Sequence, residues 1–239
     1  MARLDIVLTH YRMPGERLAD WFMWNRDAIL EAGAGVWVVS DTDRRAPDWA
    51  RVIQYPLELE IFALSRTANY GIRAAIDAGA QIVCKTDPDC ILTPALLSAM
   101  ASLPSGGGLC PVYRMATDAS PGALAASKPW EASKGTLALS ASTWEAIHGY
   151  DERQVGYGIE DGDAYARALT VLSGGGGGCV RGKDPVYHVA HSQTEQKAGN
   201  MRPDCWGRSD GFNPRNHRSN MVVRRSAWSC ADWGLAVAT

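Results

Sequence analysis

Two carboxylates stand one residue apart in Asp87-Pro88-Asp89. Hard oxygen donors in that arrangement suit a divalent ion such as Mn²⁺ or Mg²⁺, and the pair could serve the ion and a ligand hydroxyl together. By itself the triplet also fits a plain acidic turn. A second acidic group lies in Gly156-Tyr157-Gly158-Ile159-Glu160-Asp161-Gly162-Asp163. Acids crowded at the start of a helix are held ionised by the helix macrodipole, and an ionised carboxylate there can act as a general base toward a hydroxyl. The flanking glycines let a ligand come close to the backbone. Simple capping is the expected role of Asp163. The third group is His188-Val189-Ala190-His191. Two imidazoles at this spacing could complete a metal site begun by Asp89. On a regular strand they would face opposite sides, so one must sit at a strand end or turn.

The elements that position these groups follow from the hydrophobic pattern. Leu4 to Thr9 reads as a buried strand, and a helix is expected from about Gly15 to Ala32, stopped by Gly33 and Gly35. Val36 to Ser40 reads as a second strand ending at Asp41. Strand, helix, strand at this spacing is a βαβ unit with a parallel sheet. Leu64, Ala68, Ile72 and Ile76 mark a helix ended by Gly79, and Gln81 to Lys85 is a strand running straight into the Asp87-Pro88-Asp89 triplet. Open parallel sheets bind ligands at the carboxyl ends of their strands, which is where the triplet falls. Thr93-Pro94 should open the next helix, through Met100. Residues 104 to 134, rich in Gly, Pro, Ser and Ala, read as irregular with one strand near Leu109 to Tyr113. Ser142 with Glu145 fits a capping box for a short helix stopped by Gly149, a further helix is expected from about Asp161 to Leu172, and Val186 to Ala190 is the last clear strand.

Composition sets the outer limits. The 239 residues are 46% hydrophobic and 21% charged, values that exclude a mainly disordered, collagen-like or coiled-coil chain. A formal net charge of -2 excludes attachment to nucleic acid or membrane by bulk charge. The charge is uneven, however, since residues 201–239 carry six arginines and three aspartates, a basic end on an acidic body. The six cysteines form no CxxC pair, and no apolar leader or membrane-spanning run is present. A cytoplasmic protein with reduced thiols and no membrane partner is expected.

Six strings in order carry a family resemblance: Ser65-Arg66-Thr67-Ala68-Asn69-Tyr70-Gly71, Asp87-Pro88-Asp89, Gly135-Thr136-Leu137-Ala138-Leu139-Ser140, Gly149-Tyr150-Asp151-Glu152, Gly156 to Asp163, and His188-Val189-Ala190-His191-Ser192. Together they resemble glycosyltransferases of the GT-A fold, above all the beta-1,4-galactosyltransferase group and its bacterial and viral relatives. The resemblance implies a single α/β domain with a Rossmann-like mixed, mostly parallel sheet flanked by helices. Residues 1–191 would form the catalytic core, and 192–239 a lid loop and basic C-terminal extension of the same domain. It also implies roles. Asp89 would ligate the metal with His191, and with His188 standing where these enzymes often have methionine. Asp87 would contact the donor's ribose or sugar, Glu160 would hold a sugar hydroxyl, and Tyr157 would offer an aromatic platform in place of the family's tryptophan. Asp161 would be the general base. Thr9, Tyr11, Arg12, Asp41, Arg66 and Asn69 would line the nucleotide side. The implied cofactor is Mn²⁺ or Mg²⁺ and the donor a UDP-sugar, with transfer of a hexose or N-acetylhexosamine to an acceptor hydroxyl. A base at Asp161 implies inversion at the anomeric carbon.

Several partners fit the sequence. The acceptor could be a glycan, a protein or a small molecule. The arginine-rich end leaves open a hydroxylated base in DNA. A different class is a zinc-stabilised binding module built on Cys179, His188, His191 and Cys205, whose spacing matches no compact finger. The long stretch from Ser192 to Asn220, with Arg202, Arg208, Arg215 and Arg218, reads as a lid whose arginines reach the donor diphosphate.

Overall fold

The computed structural model describes residues 2–10, 15–40, 46–56, 63–130, 135–154, 159–174, 179–190 and 229–235. In chain order the elements are β1 (Leu4–His10), α1 (Gly15–Ala32), β2 (Gly35–Ser40), β3 (Ala50–Gln54), α2 (Leu64–Asp77), β4 (Ile82–Thr86), β5 (Cys90–Leu92) and α3 (Pro94–Ala101). Then come β6 (Gly108–Ala116), α4 (Pro121–Ala125), β7 (Lys128–Pro129), β8 (Leu137–Ser140), α5 (Ala141–Ala146), α6 (Glu160–Gly174) and β9 (Cys179–Val189).

One sheet runs in the order β3-β2-β1-β4-β8-β6-β9-β5, with β7 on the side of β6. From β3 to β4 every pairing is parallel. Beyond β4 the sheet is mixed: β8 is antiparallel to both β4 and β6, and β9 is parallel to β6 but antiparallel to β5. Central strands of such a sheet are covered on both faces, and β1 is buried at all seven positions. Leu4, Ile6 and Leu8 join Leu18, Trp21 and Ile29 of α1 and Leu96, Leu97 and Met100 of α3. Val7, Val39 and Val83 point the other way, into Ala68 and Ile72 of α2, Trp144 of α5 and Ala164 and Leu172 of α6. The period-two alternation of the strands therefore builds two apolar layers, with helices on both faces.

The helix from Gly15 to Ala32, the helix ending before Gly79 (φ +93°) and the Thr93-Pro94 start all stand as the sequence implies, with Thr93 Oγ1 accepting from the Leu96 N–H. Four features differ. The cap of α5 is Ser140, whose hydroxyl accepts from the Thr143 N–H, while Ser142 lies inside the helix. β9 begins seven residues before Val186, and its polar start is drawn into the ladder by β6, with an irregularity between Cys110 and Val112. The 104–134 stretch holds more order than its composition suggests, because pairing with β8 and β9 carries β6 through Ala116. Finally, β3, β5 and β8 are short strands defined by their neighbours, not by a pattern of their own.

The last described segment returns to the body. Trp233 is buried with the α2 layer, and the Gly234 N–H donates to Glu152 Oε1 at 2.8 Å. Cys84, Cys90 and Cys230 are free thiols. Among the described residues no helix is long and apolar enough to cross a membrane.

Candidate active site

β4 delivers a lysine and then the acids. Lys85 is fully buried, and its ammonium lies 2.6 Å from Asp87 Oδ1 and 3.3 Å from Asp161 Oδ1. Burial alone would favour loss of its proton, but the charges of Asp161 and Asp87 outweigh that and hold its pKa well above the usual lysine value. Burial pushes the Asp87 carboxyl up to about 6; the Lys85 charge opposes this, and Asp161 and Asp89 reinforce it. Tyr150, also fully buried, donates from Oη to Asp161 Oδ1 at 3.2 Å. Burial and then the Asp161 charge push its hydroxyl well above the ordinary tyrosine range, so it remains a donor. The DxD triplet and the start of α6, 74 positions apart from Asp87 to Asp161, are thus joined through one ammonium.

Asp89 pairs with a histidine. Its Oδ2 lies 3.1 Å from His188 Nε2. This contact follows from the β5·β9 ladder, which sets Cys90 opposite His188 while the Val189 N–H donates to the Asp89 carbonyl at 2.8 Å. Donor atoms of Asp87, Asp89 and Cys90 also lie within 4.8 Å of one another. The fit to a divalent ion can be tested on these distances. Two neighbouring ligands of an octahedral ion, each bonded at about 2.1 Å, stand about 3 Å apart. The Asp89–His188 separation has that value, and carboxylate with imidazole is a donor set suited to manganese-type ions. The ring of Trp130 stands edge-on to His188 at 4.6 Å between centroids and fixes its plane.

Three groups support this constellation. Asn25 of α1 accepts from the Leu92 N–H at 2.7 Å and donates to the Cys90 carbonyl at 3.1 Å, so α1 pins the strand that follows Asp89. Gly135 lies so close to Asp87 that a Cβ there would sit 1.9 Å from Oδ2. Thr136 meets Thr86 hydroxyl to hydroxyl at 2.8 Å, and its N–H donates to Tyr113 Oη. Ile159, immediately before Glu160, has φ 64°. A β-branched residue is strained in that region, and such strain tends to collect where a site over-determines the backbone. Glu160 is buried as the first residue of α6. Asp163, for which simple capping was expected, accepts from Arg167 Nε at 2.8 Å in an ion pair one helical turn on, and Arg167 Nη1 donates to the Gly149 carbonyl at 2.7 Å.

On the nucleotide side, Thr9 is largely buried near the end of β1, opposite Val39, and Arg66 lies in the first turn of α2, at the strands' carboxyl ends. The Arg66 charge lowers the Tyr55 hydroxyl pKa against the larger upward push of burial. Asn69 is fully buried and spends its amide on the protein. It donates to the Tyr150 carbonyl at 2.9 Å and to Glu152 Oε1 at 2.8 Å, and accepts from the Tyr150 N–H at 2.7 Å. It braces the turn that aims Tyr150 at Asp161. Tyr11, Arg12, Asp41, Tyr157, His191 and the 192–220 stretch lie outside the described residues.

Sequence reasoning missed Lys85, Tyr150, Asn25 and Gly135 as site residues. Lys85 had a signal, a single cation closing an apolar strand directly before two acids; Asn25 had none. The four-ligand zinc module is corrected by the fold. Cys179 and His188 stand nine positions apart on one strand, about 30 Å at ordinary strand rise, too far to share an ion. His188 turns instead to Asp89.

Comparison with known proteins bears on the fold. The family described as the N-terminal domain of galactosyltransferase matches residues 126–192. No curated protein matches the chain. Among solved structures, the catalytic domain of Drosophila beta1,4galactosyltransferase 7 in complex with xylobiose is 15% identical with a TM-score of 0.62, covering 97% of this chain and 82% of that one. A mutant of the same enzyme, solved with manganese, UDP-Gal and xylobiose, is 16% identical with a TM-score of 0.58, covering 96% and 82%. The mannosyltransferase PcManGT from Pyrobaculum calidifontis, in complex with GDP-Man and Mn²⁺, is 12% identical with a TM-score of 0.52, covering 82% and 61%. The layered sheet is that of the GT-A fold, and with the matching segment at residues 126–192 the chain resembles the beta-1,4-galactosyltransferase group.

Proposed function

We propose that this chain moves a hexose or N-acetylhexosamine from a UDP-sugar to an acceptor hydroxyl, with metal assistance and inversion at the anomeric carbon. The observation that carries the proposal is the convergence of three carboxylates. Asp89 stands with His188 as a metal-type pair, while Asp87 and Asp161 meet at the Lys85 ammonium. Asp89 and His188 would hold Mn²⁺ or Mg²⁺, with His191 a further candidate ligand. The ion, when bound, supplies positive charge to the diphosphate leaving group. Asp87 orients the donor through a ribose or sugar hydroxyl, and Glu160 and Tyr157 hold the sugar. Thr9, Tyr11, Arg12, Asp41, Arg66 and Asn69 serve the nucleotide side, Asn69 by bracing. Asp161 takes the acceptor proton as the acceptor oxygen attacks the anomeric carbon and the bond to the diphosphate breaks. Relatives that hold manganese, UDP-Gal and xylobiose favour a UDP-sugar donor and a sugar acceptor. The donor is tested by a screen of UDP-sugars with Mn²⁺, comparing the wild type with Asp89→Ala and Asp161→Asn. Metal-dependent turnover lost in Asp89→Ala and strongly lowered, though still measurable, in Asp161→Asn is expected; no turnover with any nucleotide-sugar would overturn the proposal. Inversion is tested by NMR of the product anomer, and a retained α-linkage would refute it.

A further inference from the structure

We propose that Lys85 is a positioning residue that locks the donor-side carboxylate and the acceptor-side base into one geometry. The inference rests on the proposed function and deepens it. Lys85 is fully buried, so its ammonium is out of reach of a ligand, and any effect on transfer must pass through the groups that it touches. Its backbone is held on both sides, opposite Val7 of β1 and Leu137 of β8, in the middle of the sheet. A side chain rooted there is a rigid reference point. The ammonium bonds Asp87 Oδ1 at 2.6 Å and approaches Asp161 Oδ1 at 3.3 Å.

Tyr150 Oη, held by Asn69 through its backbone, donates to the same Asp161 oxygen at 3.2 Å. Two donors on one oxygen fix the carboxylate's rotation and leave Oδ2 outside these two bonds, on a side chain 27% exposed. A buried cation is costly, and an apolar residue of similar volume would pack there at less expense. The value of Lys85 is the fixed separation that it imposes between Asp87 and Asp161. Donor and base are thereby set in register before either substrate arrives, as in-line displacement requires.

The test is Lys85→Met, which keeps the length of the side chain, with Lys85→Gln as the second variant should the first fail to fold. The assay follows Mn²⁺-dependent turnover of UDP-galactose, with transfer to xylobiose or to water, in wild type and in Asp161→Asn backgrounds, and crystal structures of the variants. We expect a loss of about 100-fold in kcat in the wild-type background, the usual cost of a misplacement near 1 Å. In the Asp161→Asn background the loss should be at least threefold smaller, because one of the two carboxylates acted upon is gone and only the effect through Asp87 remains. The structures should show the Asp161 carboxylate rotated from its present position. A kcat within threefold of wild type, equal losses in both backgrounds, or unmoved carboxylates would each overturn the inference. If the wild type turns over no donor, the proposed function fails, and the variant structures alone decide whether Lys85 positions Asp87 and Asp161.

Discussion

Replacing Gly135 by alanine tests the site through a residue that carries no functional group. A Cβ at that position would stand 1.9 Å from Asp87 Oδ2 and 3.0 Å from Asp87 Cγ. Ordinary contact begins near 3.4 Å, so Oδ2 has to retreat by about 1.5 Å on packing grounds. The backbone at Gly135 has little room to yield, since Thr136 next to it is tied to Thr86 and Tyr113, and β8 begins one residue later. The Asp87 carboxylate must therefore turn, and its 2.6 Å bond to Lys85 is lost. Lys85 keeps only Asp161, at 3.3 Å. Loss of a hydrogen bond between charged groups costs about 1.5–3 kcal/mol, at the lower end here because Asp87 is partly exposed. A shift of this size at a donor contact costs about 100-fold in turnover. Urea denaturation reads the first effect, and steady-state turnover of the donor with Mn²⁺ reads the second. An alanine variant with kcat within threefold of wild type and an unmoved Asp87 would refute the reasoning.

Three further outcomes follow from the same contacts. Asp87 is held near 6 in the folded chain against 3.8 for a free aspartate, so folding tightens its hold on the proton. The associated stability is fully present below about pH 3.8, fades as pH rises through about 6 and is absent above it. In metal-free protein, Asp87→Asn should lose this dependence, and its stability relative to wild type should climb between pH 4 and 7; parallel curves would contradict it. Asn25→Ala leaves the Leu92 N–H and the Cys90 carbonyl without their side-chain partner and should cost about 2–4 kcal/mol in urea denaturation, together with weaker Mn²⁺ binding in calorimetry, because β5 is freed. Asn69→Ala removes three hydrogen bonds to the Tyr150–Glu152 turn and should destabilise by about 2–4 kcal/mol and lower kcat more than it raises the donor KM; an effect on KM alone would assign it to nucleotide contact instead.

Most of the frame was legible in the chain. Short apolar runs in Leu4–Thr9 and Val36–Ser40, a four-residue apolar repeat from Leu64 to Ile76, and glycine stops fix a βαβ sheet and place Asp87 and Asp89 at a strand's carboxyl end. These are local signals, written in neighbours a few positions apart. The acids and His188 were likewise visible by type and spacing. Their assembly was not. Asp89 reaches His188 because β5 and β9 pair antiparallel in one register, and a register is a property of two strands, not of either one. Asp87 reaches Asp161 through a lysine whose type suggested solvent, because burial between two carboxylates is affordable only once the fold has brought both to it. Ser142 likewise read as the cap of α5, yet Ser140 takes the Thr143 N–H, since the end of β8 sets where the helix begins. The sequence by itself determined which elements form and which chemical groups they carry, because both depend on short-range pattern. Only the tertiary structure decided which groups meet, because side-chain distances across 74 or 99 positions are set by strand pairing and helix packing.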